Sequence, residues 1–139
     1  MNILQLFPTS LGMFQYEAFS EAVEIYRADI GEAIQEHALN SGRTTSQTDH
    51  LLHHRPVLRP LIDFFMDSVM AYLIAEKSSA GLRLRMQSCW ATAMGRSVGL
   101  DMHQHPNSHF SGAFYLEVER NCQPIIFRDP RPQNRMFDF

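Results

Sequence analysis

The sequence contains few of the residues that mark several protein classes. It has only two cysteines, too few for a disulfide framework, so we expect free thiols in a reducing cytoplasm. A formal net charge of −3 without any Lys/Arg run argues against nucleic-acid or membrane-surface binding. No uncharged apolar run reaches about 18 residues, and the first residues lack a basic region typical of signal peptides. We therefore expect a cytoplasmic protein with a small-molecule or protein partner.

The length of 139 residues fits one domain that can bury its own core. We expect residues 1–139 to form a single domain with two parts. Residues 1–81 would hold short N-terminal strands and two supporting helices. Residues 82–139 would hold the main strands.

Two stretches of the first part have the apolar period of an amphipathic helix. The first helix is predicted to begin near Phe19 and to end at Gly42, with its apolar face formed by Phe19, Val23, Tyr26, Ile30 and Ile34. The second is predicted from Pro56, a proline suited to a first turn, to residues 78–81. Its buried face would contain Leu58, Leu61, Ile62, Phe65, Val69, Tyr72 and Leu73.

The second part of the chain changes to a period of two. Residues 82–94 and 110–118 alternate apolar and other side chains, and residues 124–128 provide a further short strand. Helices followed by antiparallel strands indicate an α+β fold in which two helices pack on a sheet.

Three of the seven histidines, His103, His105 and His109, fall within seven positions. On an extended segment His103 and His105 point to the same side, so their imidazoles can converge on one point. Imidazole nitrogen suits Fe(II), Zn, Cu or Ni, and a mononuclear site needs a further ligand. The alternative is a partly exposed loop in which the imidazoles only make hydrogen bonds.

Several motifs occur in a fixed order around this pair. They are Gln87-Ser88-Cys89-Trp90, His103-Gln104-His105-Pro106, Ser111-Gly112-Ala113-Phe114-Tyr115 and Phe127-Arg128-Asp129-Pro130-Arg131. Together with the N-terminal LFPTS, this order resembles a family of 2-oxoglutarate- and Fe(II)-dependent oxygenases built on the antiparallel double-stranded β-helix, a jelly-roll or cupin-like fold. The resemblance extends over nearly the whole chain.

The resemblance implies Fe(II) as cofactor and 2-oxoglutarate as cosubstrate, used for hydroxylase-type oxidation of a C–H bond. His103 and His105 would be the catalytic, metal-binding residues. His105 stands where the family has a carboxylate, so the remaining ligand would be Asp101 or a third histidine, as in cupin dioxygenases. Trp90, Tyr115 and Asn107 are candidates for lining the cosubstrate site. Packing explains Trp90 better and Tyr115 equally well, and a turn after Pro106 explains Asn107 without any function.

The family's later strands carry a distal histidine and an arginine that binds 2-oxoglutarate. No histidine follows His109 in this sequence, so we expect an incomplete β-helix that lacks these two groups. An open strand edge bearing Ile125, Ile126, Phe137 and Phe139 would invite pairing with a second copy, which predicts a homo-oligomer.

Three functions remain open from the sequence. The first is a 2-oxoglutarate-dependent oxygenase, active alone or only when completed by another chain. The second is a non-catalytic metal-binding or interaction protein that retains a half-barrel. The third is a cupin-like three-histidine dioxygenase that needs no 2-oxoglutarate. A second possible metal cluster, His50, His53 and His54 after Asp49, is more readily explained as a solvated loop.

Overall fold

The computed structural model describes residues 9–42, 45–78, 81–95, 98–120 and 124–128. Two α-helices, α1 (Phe19–Ser41) and α2 (Arg59–Ala75), are joined by a loop that contains two short 3₁₀ turns, Leu52–His54 and Pro56–Leu58. The described residues after α2 follow an extended but irregular path. No helix within the described ranges is both long and apolar enough to cross a membrane.

Helix α1 has the bounds predicted from its apolar period. Gly42 follows it with a φ of 63°, a left-handed conformation that glycine adopts without a steric penalty. The Gly42 N–H donates to the Leu39 carbonyl at 3.3 Å, which satisfies one of the last carbonyls of the helix. The glycine therefore ends the helix, as the sequence indicates.

Helix α2 is shorter than predicted at both ends. Pro56 begins a 3₁₀ turn instead of the helix itself, and Pro60 occupies the first turn of α2, where a missing N–H costs nothing. The helix ends at Ala75, before residues 78–81, because Lys77 has a left-handed φ of 56°. The predicted apolar face is nevertheless correct, since Leu58, Leu61, Ile62 and Leu73 are buried.

The hydrophobic core lies between the two helices and the 3₁₀ turns that connect them. Its buried members are Tyr26, Ala33, Leu52, Leu58, Leu61 and Ile62. Half-buried residues from the extended part, including Met86, Cys89, Phe114 and Leu116, pack against this cluster. The later part of the chain is thus attached to the helices through apolar contacts.

Arg55, between the two 3₁₀ turns, connects this loop to α1 by ion pairs. Its guanidinium contacts Asp29 at 2.7 Å, Glu36 at 2.7 Å and Glu32 at 3.2 Å. Hydrogen bonding to Asp29 holds the pKa of Arg55 above its ordinary value. Since Arg55 and Asp29 are both largely shielded from solvent, with side chains 24% and 11% exposed, the pair should matter more than a surface ion pair.

The predicted double-stranded β-helix, with two helices packed on a sheet, is wrong for the part of the chain that is described. No strand ladder forms in residues 9–42, 45–78, 81–95, 98–120 or 124–128. Two isolated bridges occur, an antiparallel one between Gln47 and Thr92 and a parallel one between Leu51 and Cys89. The short strands expected near the N-terminus are likewise absent from residues 9–18.

The alternating pattern failed as a predictor because a sheet also requires a partner backbone. Alternation shows which side chains a pleated segment could bury, but the hydrogen-bonding partner lies elsewhere in the chain. Residues 89–93 pair with the irregular loop after α1 instead of with another long strand. Apolar residues of the alternating segments consequently stay exposed, among them Leu82, Met94, Phe110 and Val118.

The loop of residues 46–52 is joined to residues 89–93 by a set of backbone hydrogen bonds. The N–H groups of Thr48 and Leu52 donate to the carbonyls of Ala91 and Cys89, each at 3.0 Å. In the reverse direction, the Cys89 N–H donates to His50 and the Ala93 N–H to Ser46. We call this set the loop clamp. Its centre is Thr48, which is fully buried and whose hydroxyl accepts a further hydrogen bond from the Ala91 N–H at 3.1 Å.

Replacing Arg55 with methionine should destabilise the fold, because it leaves Asp29 shielded from solvent without its cation. We expect a loss of roughly 2–3 kcal/mol in the free energy of unfolding, measured by urea denaturation. The matched control is Arg59→Met, which removes an exposed ion pair with Asp63 and should cost less than about 0.5 kcal/mol. Equal losses in the two variants would contradict this role of Arg55.

The stability of the protein should also fall in mild acid because of His53. Its Nδ1 is buried without a hydrogen-bond partner among the described residues, and burial lowers the pKa of the side chain. The unfolded chain therefore binds the proton more readily, so stability is retained above about pH 6.5 and is lost as the pH falls through the lower folded-state pKa.

The variant His53→Gln should make the free energy of unfolding less dependent on pH between about pH 8 and pH 5. The exposed His109, replaced by glutamine, serves as the control and should leave the wild-type dependence in place. An unchanged pH dependence in His53→Gln would overturn this explanation.

Candidate metal-binding site

His103 and His105 lie side by side, as their spacing predicts. Their ring centroids are 5.0 Å apart with an interplanar angle of 31°. His105 is half-buried and His103 is exposed. The alternation of side chains along the extended segment, which failed to predict a sheet, therefore does predict the proximity of these two imidazoles.

Each of the two imidazoles uses its Nδ1 atom in a hydrogen bond. His103 Nδ1 lies 2.8 Å from the carbonyl oxygen of Asp101, and because a carbonyl only accepts, Nδ1 carries the proton. His105 Nδ1 lies 2.6 Å from the Ser111 hydroxyl, which can accept in the same way. A neutral imidazole protonated at Nδ1 has its free lone pair on Nε2, the arrangement found in most metal-binding histidines.

The further metal ligand was expected to be Asp101 or a third histidine. Asp101 contacts His103 through its backbone carbonyl. Within the described ranges, no three or more His, Cys, Asp or Glu side chains gather closely enough to hold a metal ion. Asp129 lies outside the described residues, as do Cys122, Arg131, Phe137 and Phe139.

Trp90 lies beside His105 and contacts a histidine from another part of the chain. The ring centroids of Trp90 and His105 are 5.1 Å apart, and His50 stacks on Trp90 at 4.8 Å with an interplanar angle of 21°. The side-chain amide of Gln47 contacts His50 Nε2 at 3.2 Å. Four rings, in the order His50, Trp90, His105 and His103, thus form one continuous row, which we call the aromatic row.

The other two candidates for the cosubstrate site occupy different surroundings. Asn107 is exposed and adopts a left-handed φ of 63° in the turn after Pro106, which agrees with the simpler turn interpretation. Tyr115 is 49% exposed and lines a surface cavity of about 330 Å³ together with Phe14, Tyr16, Phe19 and Phe114. A contribution of Tyr115 or Asn107 to cosubstrate binding stays a prediction.

The second possible metal cluster does not form. His53 and His54 lie in a 3₁₀ turn with ring centroids 4.2 Å apart, whereas His50 stacks on Trp90. Asp49 caps the local turn instead, since its carboxylate accepts a hydrogen bond from the Leu51 N–H at 2.9 Å. The stretch is a loop with 3₁₀ turns, but it is only partly solvated, because Leu52 and the Nδ1 atom of His53 are buried.

Cys89 lies next to Trp90 and has none of the features of a catalytic thiol. Burial raises the pKa of Cys89 to about 11, so the thiol stays protonated at neutral pH.

Sequence reasoning missed the part of the site contributed by residues 45–52. His50 and Gln47 reach Trp90 only because the loop clamp brings a distant segment beside residues 89–93. Nothing in the local sequence indicates this long-range pairing. The sequence marks Ser111 as part of the Ser-Gly motif that follows the histidines. Its spacing alone does not predict the hydrogen bond between Ser111 and His105.

Comparison with known protein families agrees with the motifs around the two histidines. The family model described as "Putative 2OG-Fe(II) oxygenase" matches residues 88–139, a segment that contains Trp90, His103, His105 and Ser111. No curated protein and no solved structure matches the chain. The resemblance found in the sequence is thus confirmed for residues 88–139, the segment that is similar to the putative 2OG-Fe(II) oxygenase family. The match does not include residues 1–87, so the resemblance of that part of the chain stays a prediction.

Proposed function

We propose that His103 and His105 bind Fe(II) and that the chain is a 2-oxoglutarate-dependent oxygenase of the hydroxylase type. The observation that carries this proposal is the pairing of two imidazoles whose Nδ1 atoms are both held by hydrogen bonds. With Nδ1 of each ring donating to these acceptors, the Nε2 lone pairs of both rings are available to a metal ion. The pairing occurs within the segment that matches the oxygenase family.

The described residues fit two of the ligands that the iron needs. The donors are of the right chemical kind, since imidazole nitrogen suits Fe(II). The third ligand and the group that binds the 2-oxoglutarate carboxylate are not found among the described residues. The proposal therefore assigns His103 and His105 as ligands and leaves the rest of the coordination shell unassigned.

The residues around the pair would prepare it for binding. The Asp101 carbonyl and the Ser111 hydroxyl fix the protonation and rotation of the two rings. Trp90 covers one side of His105 and limits the access of water to it. Iron and 2-oxoglutarate, when bound, would supply the oxidation of a substrate C–H bond coupled to decarboxylation of 2-oxoglutarate to succinate.

A second candidate function is metal binding without turnover. It is supported by the two-ligand set, which can hold a metal ion weakly without creating the open, three-ligand face that the reaction requires. The three-histidine alternative has less support, because no third imidazole joins the pair in the part of the chain that is described. Assembly into a homo-oligomer stays a prediction, for which the exposure of Ile125 and Ile126 is the supporting observation.

Anaerobic titration with Fe(II) and then 2-oxoglutarate tests the oxygenase proposal. We expect the weak visible charge-transfer band that bidentate 2-oxoglutarate gives on iron, and its loss in His103→Ala. Succinate formation on exposure to oxygen should be lost in the same variant. The control His109→Ala alters an exposed histidine of the same loop and should keep both signals.

The possible outcomes separate the functions. Iron binding without the band supports metal binding without turnover. Oxygen uptake that is indifferent to 2-oxoglutarate supports the three-histidine dioxygenase. An absence of Fe(II) binding at any concentration tested would contradict all three metal-based functions.

The hydrogen bond from Ser111 should contribute measurably to metal binding. Replacing Ser111 with alanine frees the His105 ring to rotate, so we expect Fe(II) affinity to fall roughly tenfold in equilibrium dialysis. Ser108→Ala, a change of the same size at an exposed position nearby, should have little effect. Equal affinities for the two variants would show that the Ser111 contact does not orient the ligand.

A further inference from the structure

The aromatic row connects the proposed metal ligands to a loop outside the segment that matches the oxygenase family. Residues 88–139 contain Trp90, His105 and His103, whereas His50 and Gln47 precede this segment by more than 35 residues. The contacts nevertheless continue without a gap, from Gln47 to His50 at 3.2 Å and from His50 to Trp90 and on to His105. The loop is therefore in a position to influence the orientation of His105.

The loop clamp holds the backbone of His50 close to the backbone on either side of Trp90. The backbone of His50 itself accepts a hydrogen bond from the Cys89 N–H at 3.0 Å, directly before Trp90 in the chain. The Thr48 N–H and hydroxyl contact Ala91, directly after Trp90. Since both neighbours of Trp90 are hydrogen-bonded to the loop, the backbone holds the His50 ring beside the indole.

The contact with Gln47 determines what His50 can do. The Gln47 amide nitrogen can only donate, so the Nε2 of His50 accepts this hydrogen bond and the ring proton lies on Nδ1. Neither nitrogen then presents a free lone pair. His50 is thus suited to stacking and unsuited to binding a metal ion in this arrangement.

We propose that His50 and Trp90 are positioning residues that hold the His105 imidazole in the orientation needed for metal binding. This inference rests on the proposed function, since it assigns a role relative to the ligand His105. The stacked His50 supports one face of the indole, and the indole in turn contacts the His105 ring. Ser111 limits rotation of His105 from its Nδ1 side, so the ring is restrained at two places.

Two variants of His50 test whether a ring stacked on Trp90 is what matters for Fe(II) binding. His50→Ala removes the ring, whereas His50→Phe keeps a planar ring that can stack on Trp90 but loses the hydrogen bond to Gln47. We expect Fe(II) affinity, measured by anaerobic equilibrium dialysis, to fall about tenfold in His50→Ala and to return to within about twofold of wild type in His50→Phe. Urea denaturation of both variants reports any general loss of stability.

A second measurement does not depend on metal. The ring current of Trp90, the only tryptophan in the sequence, shifts the proton resonances of His105 in NMR spectra, and the neighbouring His103 ring is unchanged in both His50 variants. We expect the His105 ring protons to move toward their unperturbed positions in His50→Ala and to stay near the wild-type positions in His50→Phe. Fe(II) is absent from this experiment.

The two measurements distinguish failure of the inference from failure of the proposed function. Wild-type His105 resonances in His50→Ala would overturn the positioning role. Weak Fe(II) binding by both His50→Ala and His50→Phe would also overturn the positioning role, because a stacked ring would then fail to restore Fe(II) affinity. If wild type binds no Fe(II) but the His105 resonances respond as expected, the positioning role stands and the proposed function fails.

Discussion

Backbone hydrogen bonds between residues 46–52 and residues 89–93 are the constraint on which the candidate site depends. They join a loop that follows α1 to the segment carrying Trp90, and they are centred on the fully buried Thr48. His50 and Trp90 are 40 positions apart in the chain, and this pairing brings them together in space. Thr48 and Leu52, the two buried residues of the loop, donate their backbone N–H groups to the carbonyls of Ala91 and Cys89, so separating the segments would remove the partners of two buried residues.

The same loop is held to the helices by two further kinds of contact. Leu52 and Leu58, on either side of Arg55, are buried in the core, and Arg55 itself contacts three carboxylates of α1. Apolar burial and ion pairs thus both attach the loop to the helices. The helices therefore support the loop that carries His50.

The sequence predicted the parts of the structure that depend on local information. The apolar period gave the bounds of α1 and the buried face of α2, and alternation gave the proximity of the His103 and His105 rings. The order of motifs after residue 87 indicated the oxygenase family whose model matches residues 88–139. Each of these features is determined by residues that are neighbours in the chain.

The sheet and the aromatic row could not be predicted because both depend on long-range pairing. Residues 82–94 have a strand-like pattern, but within the described ranges their backbone meets a loop instead of a matching strand. His50 was interpreted with His53 and His54, its neighbours in sequence, whereas its actual ring partner is 40 positions away at Trp90. A pattern of side chains specifies a face, but it does not specify which segment covers that face.

The proximity of residues 46–52 to Trp90 can be tested directly by one measurement. Nuclear Overhauser contacts from the indole protons of Trp90, the only tryptophan in the chain, can be recorded on the metal-free protein with selectively labelled histidine. The account predicts contacts from Trp90 to both His50 and His105, which lie on either side of it in the aromatic row. Contacts to His105 alone, or to neither histidine, would contradict it.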